Sequence, residues 1–265
     1  MHNFDEALAA LDLALFEKIE SQTMPDDKQS LLACQLAVRE LKPGYVYLEI
    51  GSYLGGSIQP HLLDDKCSVI YSIDRRPEVQ PDARGIDWTY RNNSTARMLE
   101  TLKQVRDDLS KIETIDGDTA SIDPSRVNRK VDLCFIDGEH TDHACLRDFR
   151  FCMEVLSDGG VILFHDAQVT YNGIADSIAH LEKTGKKFRA YSLPNYVFAI
   201  EIGDFAMHKS AAVNDRLVDN YRSYIPSLAS NDHYRNFTIA FRSGRSAGRS
   251  IRFAVPTKAI NRAVA

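Results

Sequence analysis

The sequence predicts an α/β fold, with a doubly wound, mainly parallel sheet that ends in an antiparallel hairpin. Short apolar runs, each the length of one buried strand, alternate with longer stretches of helical spacing. The runs assigned to parallel strands are 45–50, 69–73, 112–115, 131–136 and 161–164. The helical stretches between them include 94–109 and 143–156. Such alternation is typical of a parallel sheet with helices on both faces.

The last two apolar runs, 188–192 and 196–202, predict the hairpin. Only a short connection containing Pro194-Asn195 separates them. A connection of this length cannot hold the crossover helix that parallel strands need. We therefore expect this last pair of strands to be antiparallel.

Two helices are predicted before the sheet. The first rests on apolar residues at helical spacing, namely Phe4, Leu8, Leu11, Leu15 and Ile19. The second begins near Asp26 or Asp27 and ends at Lys42-Pro43-Gly44. We divide the chain into an N-terminal helical segment (1–30), a core domain (31–203) and a C-terminal basic extension (204–265).

The composition is that of an ordinary globular protein. Hydrophobic residues make up 44% of the 265 positions, and the formal net charge is −5, which gives no bias towards nucleic acid or an anionic membrane. The N-terminus lacks the apolar run of a signal peptide, and no segment is long and apolar enough to span a bilayer, so we expect a cytoplasmic protein. Scattered cysteines indicate free buried thiols and no disulfide framework.

The end of the chain is basic. No acidic residue follows Asp232, whereas the basic residues there are Arg235, Arg242, Arg245, Arg249, Arg252, Lys258 and Arg262. We favour a solvated or packing extension. Contact with an acidic substrate, or with the acidic face of a partner subunit, is the alternative.

The turn after the first strand is rich in glycine and follows an acid: Glu49-Ile50-Gly51-Ser52-Tyr53-Leu54-Gly55-Gly56-Ser57. Ligands of open α/β sheets bind beyond the carboxyl ends of the strands, and glycine lets the backbone approach them closely. The spacing is not the Gly-x-Gly-x-x-Gly of dinucleotide folds. A neighbouring carboxylate favours a cationic ligand over a diphosphate. The alternative is an ordinary strand-to-helix turn.

Acids also follow the second and third strands. Asp74 ends the second, where a carboxylate can accept hydrogen bonds from ribose hydroxyls, which indicates a nucleoside. Asp116-Gly117-Asp118-Thr119 follows the third and suits the edge of an adenine ring. A solvated surface aspartate and a common Asp-Gly turn are the respective alternatives.

The fourth and fifth strands end in carboxylates and imidazoles. Asp137 and His140 follow one, and His165 and Asp166 follow the other. We expect all four at the same edge of the sheet. Two carboxylates could hold a divalent cation that lowers the pKa of a bound hydroxyl, and an imidazole could remove its proton.

These motifs together resemble a known family. The arrangement is Tyr47-Leu48-Glu49-Ile50-Gly51, then Ile73-Asp74, Phe135-Ile136-Asp137-Gly138-Glu139-His140, Asp158-Gly159-Gly160 and Phe164-His165-Asp166. It is similar to class I S-adenosylmethionine-dependent methyltransferases, nearest to the macrocin-type sugar O-methyltransferases and more distantly to catechol O-methyltransferase. The similarity spans 31–203.

The resemblance implies a Rossmann-like methyltransferase fold and specific roles. Cofactor contacts are implied at Glu49, Gly51, Ser52, Gly55, Asp74, Asp118 and Asp137. The catalytic residues would be His140, as base, and Asp137. The metal positions would be Asp137, His165 and Asp166. His165 departs from the family, whose metal-dependent members usually have a carboxylate there, and magnesium prefers oxygen ligands. The metal could therefore be absent, or an ion more tolerant of nitrogen could replace Mg²⁺.

The expected activity is methyl transfer from S-adenosyl-L-methionine to a hydroxyl of a small molecule such as a sugar, a phenol or a natural product. An N-acceptor stays open and would need no metal. Partners are the small-molecule acceptor and a second copy in a homo-oligomer (a homodimer), without nucleic acid or membrane. The rival functions are an NAD-dependent oxidoreductase and a non-catalytic nucleoside-binding protein, because one fold hosts many chemistries.

Overall fold

The computed structural model describes residues 3–232, and its centre is a seven-stranded sheet. The strands of the protein are β1 (Val46–Ile50), β2 (Val69–Asp74), β3 (Val79–Pro81), β4 (Asp87–Thr89), β5 (Ile112–Asp116), β6 (Val131–Ile136), β7 (Leu156–Phe164), β8 (Phe188–Ser192) and β9 (Phe198–Ile202). The helices are α1 (Phe4–Ala9), α2 (Pro25–Leu41), α3 (Gln59–Leu63), α4 (Thr95–Leu102), α5 (Asp142–Val155), α6 (Tyr171–Thr184), α7 (Ala211–Asn214) and α8 (Tyr221–Asn231).

The large sheet has the order β5-β2-β1-β6-β7-β9-β8. Its first five strands are parallel, β9 pairs antiparallel with β7, and β8 pairs antiparallel with β9. The predicted fold class, a mainly parallel sheet that ends in an antiparallel hairpin, is therefore confirmed.

Helices cover both faces of this sheet, which explains the apolar runs of the central strands. Tyr47 and Leu133 lie in a core cluster with residues of α2, whereas Leu48 and Cys134 lie in a second cluster with residues of α5 and α6. Successive side chains of a strand point to opposite faces, so both kinds of position must be apolar. All five cysteines are free and buried, as expected from the sequence.

The N-terminal segment differs from the predicted single helix. It forms α1 and then a separate 3₁₀ turn at Leu13–Phe16. Leu11 between them has a φ of +52°, a left-handed conformation that ends the first helix. Leu8 and Leu15 are nevertheless buried. The helical spacing therefore predicted which residues are buried, but the single continuous helix was wrong.

A small hairpin of β3 and β4 follows β2 and was not predicted from the sequence. Its strands have three residues each and are mostly exposed, so they carry no apolar pattern. The loop at its tip reaches the turn after β6, where the backbone N–H of Ala83 donates to the carbonyl of His140 (2.8 Å). The hairpin therefore covers one side of the carboxyl edge of the sheet.

The C-terminal basic extension is described only as far as Asp232, where it contains α7 and α8. Its run of arginines and lysines, 235–262, lies outside the described residues. Within residues 3–232, no helix has the length and apolar character needed to cross a bilayer.

Candidate active site

The turns after β1 and β6 pack against each other at the carboxyl edge of the sheet. Gly51 has a φ of +94°, and a Cβ there would lie 2.1 Å from the carbonyl oxygen of Asp137. No other residue fits this position without moving one of the two turns. The close packing brings Asp137 beside the glycine turn.

A cavity of about 510 Å³ opens above these turns. It is lined by seven of the predicted site residues, namely Gly51, Ser52, Asp74, Asp137, His140, His165 and Asp166. Three others, Glu49, Gly55 and Asp118, lie outside its lining. Seven of the ten predicted site residues therefore lie around one cavity, and their roles stay predictions.

Glu49 lies behind the cavity wall and is fully buried. Its carboxylate accepts hydrogen bonds from Tyr47 Oη (2.7 Å) and Ser57 Oγ (2.6 Å), and Ser57 itself lines the cavity. Burial raises the pKa of Glu49 to about 7, although both hydrogen bonds oppose the rise. A direct contact between Glu49 and a cofactor stays a prediction.

Gly55 faces helix α4. It has a φ of +85°, and a Cβ there would lie 2.9 Å from the side chain of Leu102. Its conformation and its packing account for the glycine. A role of Gly55 in cofactor binding also stays a prediction.

Asp74 is the last residue of β2. It lies between the turns that follow the two neighbouring strands, β1 and β5. Its carboxylate accepts from the backbone N–H groups of Tyr53 (2.9 Å) and Arg76 (2.7 Å) and lies 3.2 Å from Nη1 of Arg76. These contacts fix its orientation. Asp74 is also one of the residues that line the cavity.

Asp118 lies in a second, smaller cavity of about 30 Å³ beside the first. Its carboxylate pairs with Arg147 (3.2 Å) and with Arg75 (3.6 Å). Gly51 and Asp74 line both cavities. The two spaces are therefore neighbours along the edge of the sheet.

Carboxylates and imidazoles after β6 and β7 form one hydrogen-bonded cluster. His165 Nδ1 lies 2.9 Å from Asp137 Oδ1 and 3.2 Å from Asp166 Oδ2. His140 Nε2 lies 3.0 Å from the same Oδ2 of Asp166. The four residues predicted to meet at this edge do so.

Two further aspartates complete the cluster from outside the parallel strands. Asp82 of the β3–β4 hairpin lies 3.2 Å from His140 Nδ1, and Asp27 of α2 lies 3.5 Å from His165 Nε2. Sequence reasoning assigned neither residue to the site. Asp27 resembles any acid in the first turn of a helix, and Asp82 stands in a stretch without periodicity, so nothing in the sequence marks them.

The surroundings of both histidines favour the protonated form. Burial alone would lower the pKa of His140, but its hydrogen bonds to Asp166 and Asp82 outweigh burial and raise the pKa to about 10. The pKa of His165 is likewise raised well above its usual value, because the charge of Asp137 overcomes burial. The pKa of Asp166 is lowered, since both imidazoles outweigh the effect of its own burial.

The central part of the chain is similar to known proteins. Residues 48–167, from β1 to the turn after β7, match a family model described as a methyltransferase domain. This part of the chain is similar to methyltransferase domains. The match covers the glycine turn, Asp74 and the whole carboxylate–imidazole cluster except Asp27.

Solved structures of low identity are also similar to this chain over about three-quarters of its length. TomG, an O-methyltransferase from Streptomyces achromogenes solved with S-adenosylmethionine, is 15% identical, with 75% of this chain and 89% of that chain covered and a TM-score of 0.48. An O-methyltransferase from Bacillus cereus, solved with S-adenosylhomocysteine, is 12% identical (75% and 89% covered, TM-score 0.45). MycE, a methyltransferase of mycinamycin biosynthesis solved with magnesium and S-adenosylhomocysteine, is 16% identical (74% and 54% covered, TM-score 0.49). Identities this low leave the acceptor of the present domain unspecified.

The region that matches the family model has a donor set that fits a divalent cation. One ligand atom each from Asp137, His140 and Asp166 lie within 4.8 Å of one another. Two carboxylates and an imidazole suit an ion that accepts both oxygen and nitrogen. His165 is placed differently, because its Nδ1 faces the two carboxylates and its Nε2 faces Asp27. Its predicted role as a metal ligand stays a prediction.

Proposed function

We propose that the methyltransferase domain transfers the methyl group of S-adenosylmethionine to a hydroxyl of a small molecule. The observation that carries this proposal is the composition of the 510 Å³ cavity. One wall is the glycine turn with Asp74, which suits a nucleoside, and the other is the carboxylate–imidazole cluster, which suits a hydroxyl that must lose a proton.

The cavity is lined by carboxylates that could attract a cationic ligand, beside Arg84 and the two histidines of the same lining. Asp74, Asp137 and Asp166 line it, and a sulfonium centre would be attracted by such carboxylates. S-adenosylmethionine supplies an already activated methyl group. The contribution of the protein is to hold the acceptor oxygen in line with that group, which shortens the search for a reactive geometry.

His140 is the residue that we assign to the acceptor proton. The acceptor oxygen forms the new C–O bond while the C–S bond breaks, and the hydroxyl proton passes to a nitrogen of the imidazole. In the arrangement described above, both ring nitrogens face carboxylates. The ring can accept a proton only from its neutral form, so a bound acceptor must replace one of these contacts, and Asp82 would keep the other.

Asp137 and Asp166 are the residues that would hold a divalent cation. One nitrogen of His140 cannot bind the ion and also take the acceptor proton, so we leave His140 out of the ligand set. Such an ion would lower the pKa of the acceptor hydroxyl. It would also compete for the Asp166 oxygen that His140 now contacts at 3.0 Å, and so favour the neutral imidazole. This proposal stands for an O-acceptor, whereas an N-acceptor would make the cation unnecessary.

The rim of the cavity supports a small organic acceptor. Met24, Trp88 and Tyr196 line it and are each at least one-third exposed. Apolar and aromatic side chains around a few polar groups are typical of small-molecule sites. We also propose that the protein forms a homodimer. Light scattering on the same samples would measure its oligomeric state.

Calorimetric titration tests the cofactor. S-adenosylmethionine and NAD are each titrated into the full-length protein, with and without Mg²⁺. Binding of S-adenosylmethionine with a dissociation constant on the order of micromolar, without binding of NAD, is expected. Binding of NAD alone would refute the methyltransferase proposal and favour an oxidoreductase.

Transfer of a radiolabelled methyl group to a panel of sugars, phenols and other hydroxyl compounds tests the reaction. His140→Ala is expected to lower turnover by about 10²- to 10⁴-fold while cofactor binding persists. His143→Ala, an exposed histidine one turn away, is the matched control. Cofactor binding without transfer to any acceptor, by either protein, would instead favour a non-catalytic nucleoside-binding protein.

A further inference from the structure

The β3–β4 hairpin forms one wall of the 510 Å³ cavity. Gln80, Arg84 and Trp88 of the hairpin line this cavity, together with Tyr90 just after it. None of these residues belongs to the motifs that carry the family resemblance. The resemblance therefore assigns no role to this wall.

The tip of the hairpin is fixed beside His140. The backbone N–H of Ala83 donates to the carbonyl of His140 (2.8 Å), and Asp82 Oδ2 lies 3.2 Å from His140 Nδ1. His140 is the residue that we assign to the acceptor proton, so the reacting hydroxyl must come within hydrogen-bond distance of its imidazole. The hairpin is therefore a wall beside which the rest of the acceptor lies.

The indole of Trp88 is held next to the same imidazole. Its Nε1 donates to Asp82 Oδ2 (3.1 Å), the oxygen that His140 Nδ1 also contacts. The guanidinium of Arg84 lies 5.8 Å from the centroid of the indole ring and pairs with the same carboxylate (2.6 Å). Because the N–H of the indole already has an acceptor, the part of Trp88 left for a ligand is its apolar surface.

Exposed apolar side chains are concentrated at this cavity. In residues 3–232, the large hydrophobic side chains that are exposed are Met24, Leu41, Val79, Trp88, Tyr196 and Val218. Three of these six, namely Met24, Trp88 and Tyr196, line the cavity. Such a cluster is typical of a binding site, because a ligand that covers it removes apolar surface from water.

We propose that Trp88 binds an aromatic ring of the acceptor by stacking and thereby determines which hydroxyl compounds are methylated. A planar ring can contact the indole with its whole face, and aromatic pairs are favourable beyond the area that they bury. The ring hydroxyls of a sugar would instead lose water at this surface without gaining a hydrogen bond. The nearest resemblance is to enzymes that methylate a sugar, so this preference does not follow from the resemblance. The inference rests on the proposed function, because His140 sets the place of the acceptor.

Trp88→Leu is the decisive variant, since leucine keeps apolar bulk but has no ring face. Trp88→Phe restores an aromatic face without the N–H. Trp88 is 41% exposed, so neither substitution opens a cavity in the core. Val79→Ala removes another exposed apolar side chain from the same hairpin, outside the lining of the cavity, and is the matched control.

The first measurement is KM and kcat for the panel compound that the wild type methylates fastest, which should carry its hydroxyl on an aromatic ring. Trp88→Leu is expected to raise KM by about three- to tenfold, while kcat and the affinity for S-adenosylhomocysteine change by less than about twofold. Trp88→Phe should recover most of the loss, and Val79→Ala should match the wild type.

Three outcomes would overturn the inference. They are a fastest acceptor without an aromatic ring, an unchanged KM in Trp88→Leu, and a loss of affinity for S-adenosylhomocysteine as large as the rise in KM. The last would mean that Trp88 supports the shape of the cavity and does not select the acceptor. Cofactor binding without any transfer would refute the proposed function, and the inference is then decided by the binding of an aromatic probe.

The second measurement uses Trp88 as its own probe, because it is the only tryptophan of the chain. Phenol is titrated into the full-length wild type saturated with S-adenosylhomocysteine, and cyclohexanol, which lacks the aromatic face, is the competitor. Phenol should change the emission saturably, and cyclohexanol should displace it only at a concentration about threefold higher or more. A linear response equal to that of free N-acetyltryptophanamide, or equal affinity for the two alcohols, would overturn the inference alone. Failure to bind S-adenosylhomocysteine would overturn the proposed function and the inference with it.

Discussion

Gly51→Ala tests the packing that brings Asp137 to the glycine turn. A left-handed φ costs an alanine about 1–2 kcal/mol. In addition, the new Cβ would lie 2.1 Å from the carbonyl oxygen of Asp137 and 2.7 Å from Cα of Gly138. Both contacts are to backbone, so the turns after β1 and β6 must separate. Overpacking of this kind costs about a further 1–3 kcal/mol.

Gly185→Ala is the matched control for this variant. Gly185 also has a positive φ, +64°, at the end of α6, but a Cβ there would have nothing within 4 Å. The control therefore carries the conformational cost alone, about 1–2 kcal/mol. The difference between the two variants measures the close packing of the two turns.

Urea denaturation supplies both free energies of unfolding. We expect Gly51→Ala to lose about 2–5 kcal/mol, and to lose affinity for S-adenosylhomocysteine as well, since Asp137 moves. Gly185→Ala should retain wild-type affinity. Equal destabilisation by the two substitutions would refute the argument, because it would show that the turns separate without cost.

Three further predictions concern buried carboxylates. Asp27→Ala removes the acceptor of the backbone N–H of Tyr196 (2.8 Å) and the partner of His165, so urea denaturation should show a loss of about 3 kcal/mol. Asp82→Ala removes the acceptor of Trp88 Nε1 (3.1 Å), and the emission of this single tryptophan should shift to longer wavelength as the indole gains exposure. Burial raises the pKa of Glu49 from 4.5 to about 7. At a pH between these two values, Glu49 keeps its proton in the folded protein, whereas the unfolded chain releases it. The free energy of unfolding should therefore fall with rising pH across this window by about 3 kcal/mol relative to Glu49→Gln, as measured by denaturation at each pH.

Each of these predictions has a contrary outcome. Asp26→Ala, at the exposed neighbour of Asp27, should change stability little, and a loss as large as that of Asp27→Ala would point to the helix terminus instead. An unchanged emission maximum in Asp82→Ala would mean that the hairpin holds Trp88 without Asp82. Parallel pH curves for the wild type and Glu49→Gln would show that the pKa of Glu49 is the same in the folded and the unfolded protein.

Most of the sheet could be predicted because its strands are buried on both faces. The run 131–136 coincides with β6, whose residues are almost all buried. The β3–β4 hairpin escaped prediction because its exposed strands have no apolar pattern. The helical spacing predicted a helix as far as residue 109, but α4 ends at Leu102. Apolar residues beyond the helix still pack against the core, so the apolar pattern continues after the helix has ended.

The candidate site, like the sheet, could be predicted only in part. The positions of Asp74, Asp137 and Asp166 follow from the rule that ligands lie beyond the carboxyl ends of parallel strands. The partners of the two histidines do not follow from it. Asp82 is 58 positions from His140, and such a contact depends on how an irregular segment returns to the sheet, which no local pattern encodes.

The contact between Asp27 and Tyr196 also has a consequence for the order of folding. It joins residues 169 positions apart, so it can form only after almost the whole sheet has closed the loop between them. Long-range contacts of this kind form late, because the entropy of closing the loop opposes them until other structure has shortened it. We therefore expect His165 to acquire its outer partner in one of the last steps, after the strands that carry the glycine turn and Asp74 are already paired. During synthesis, a chain that has not yet reached position 196 would hold the glycine turn and Asp74 in place before the third carboxylate beside His165, that of Asp27, is fixed.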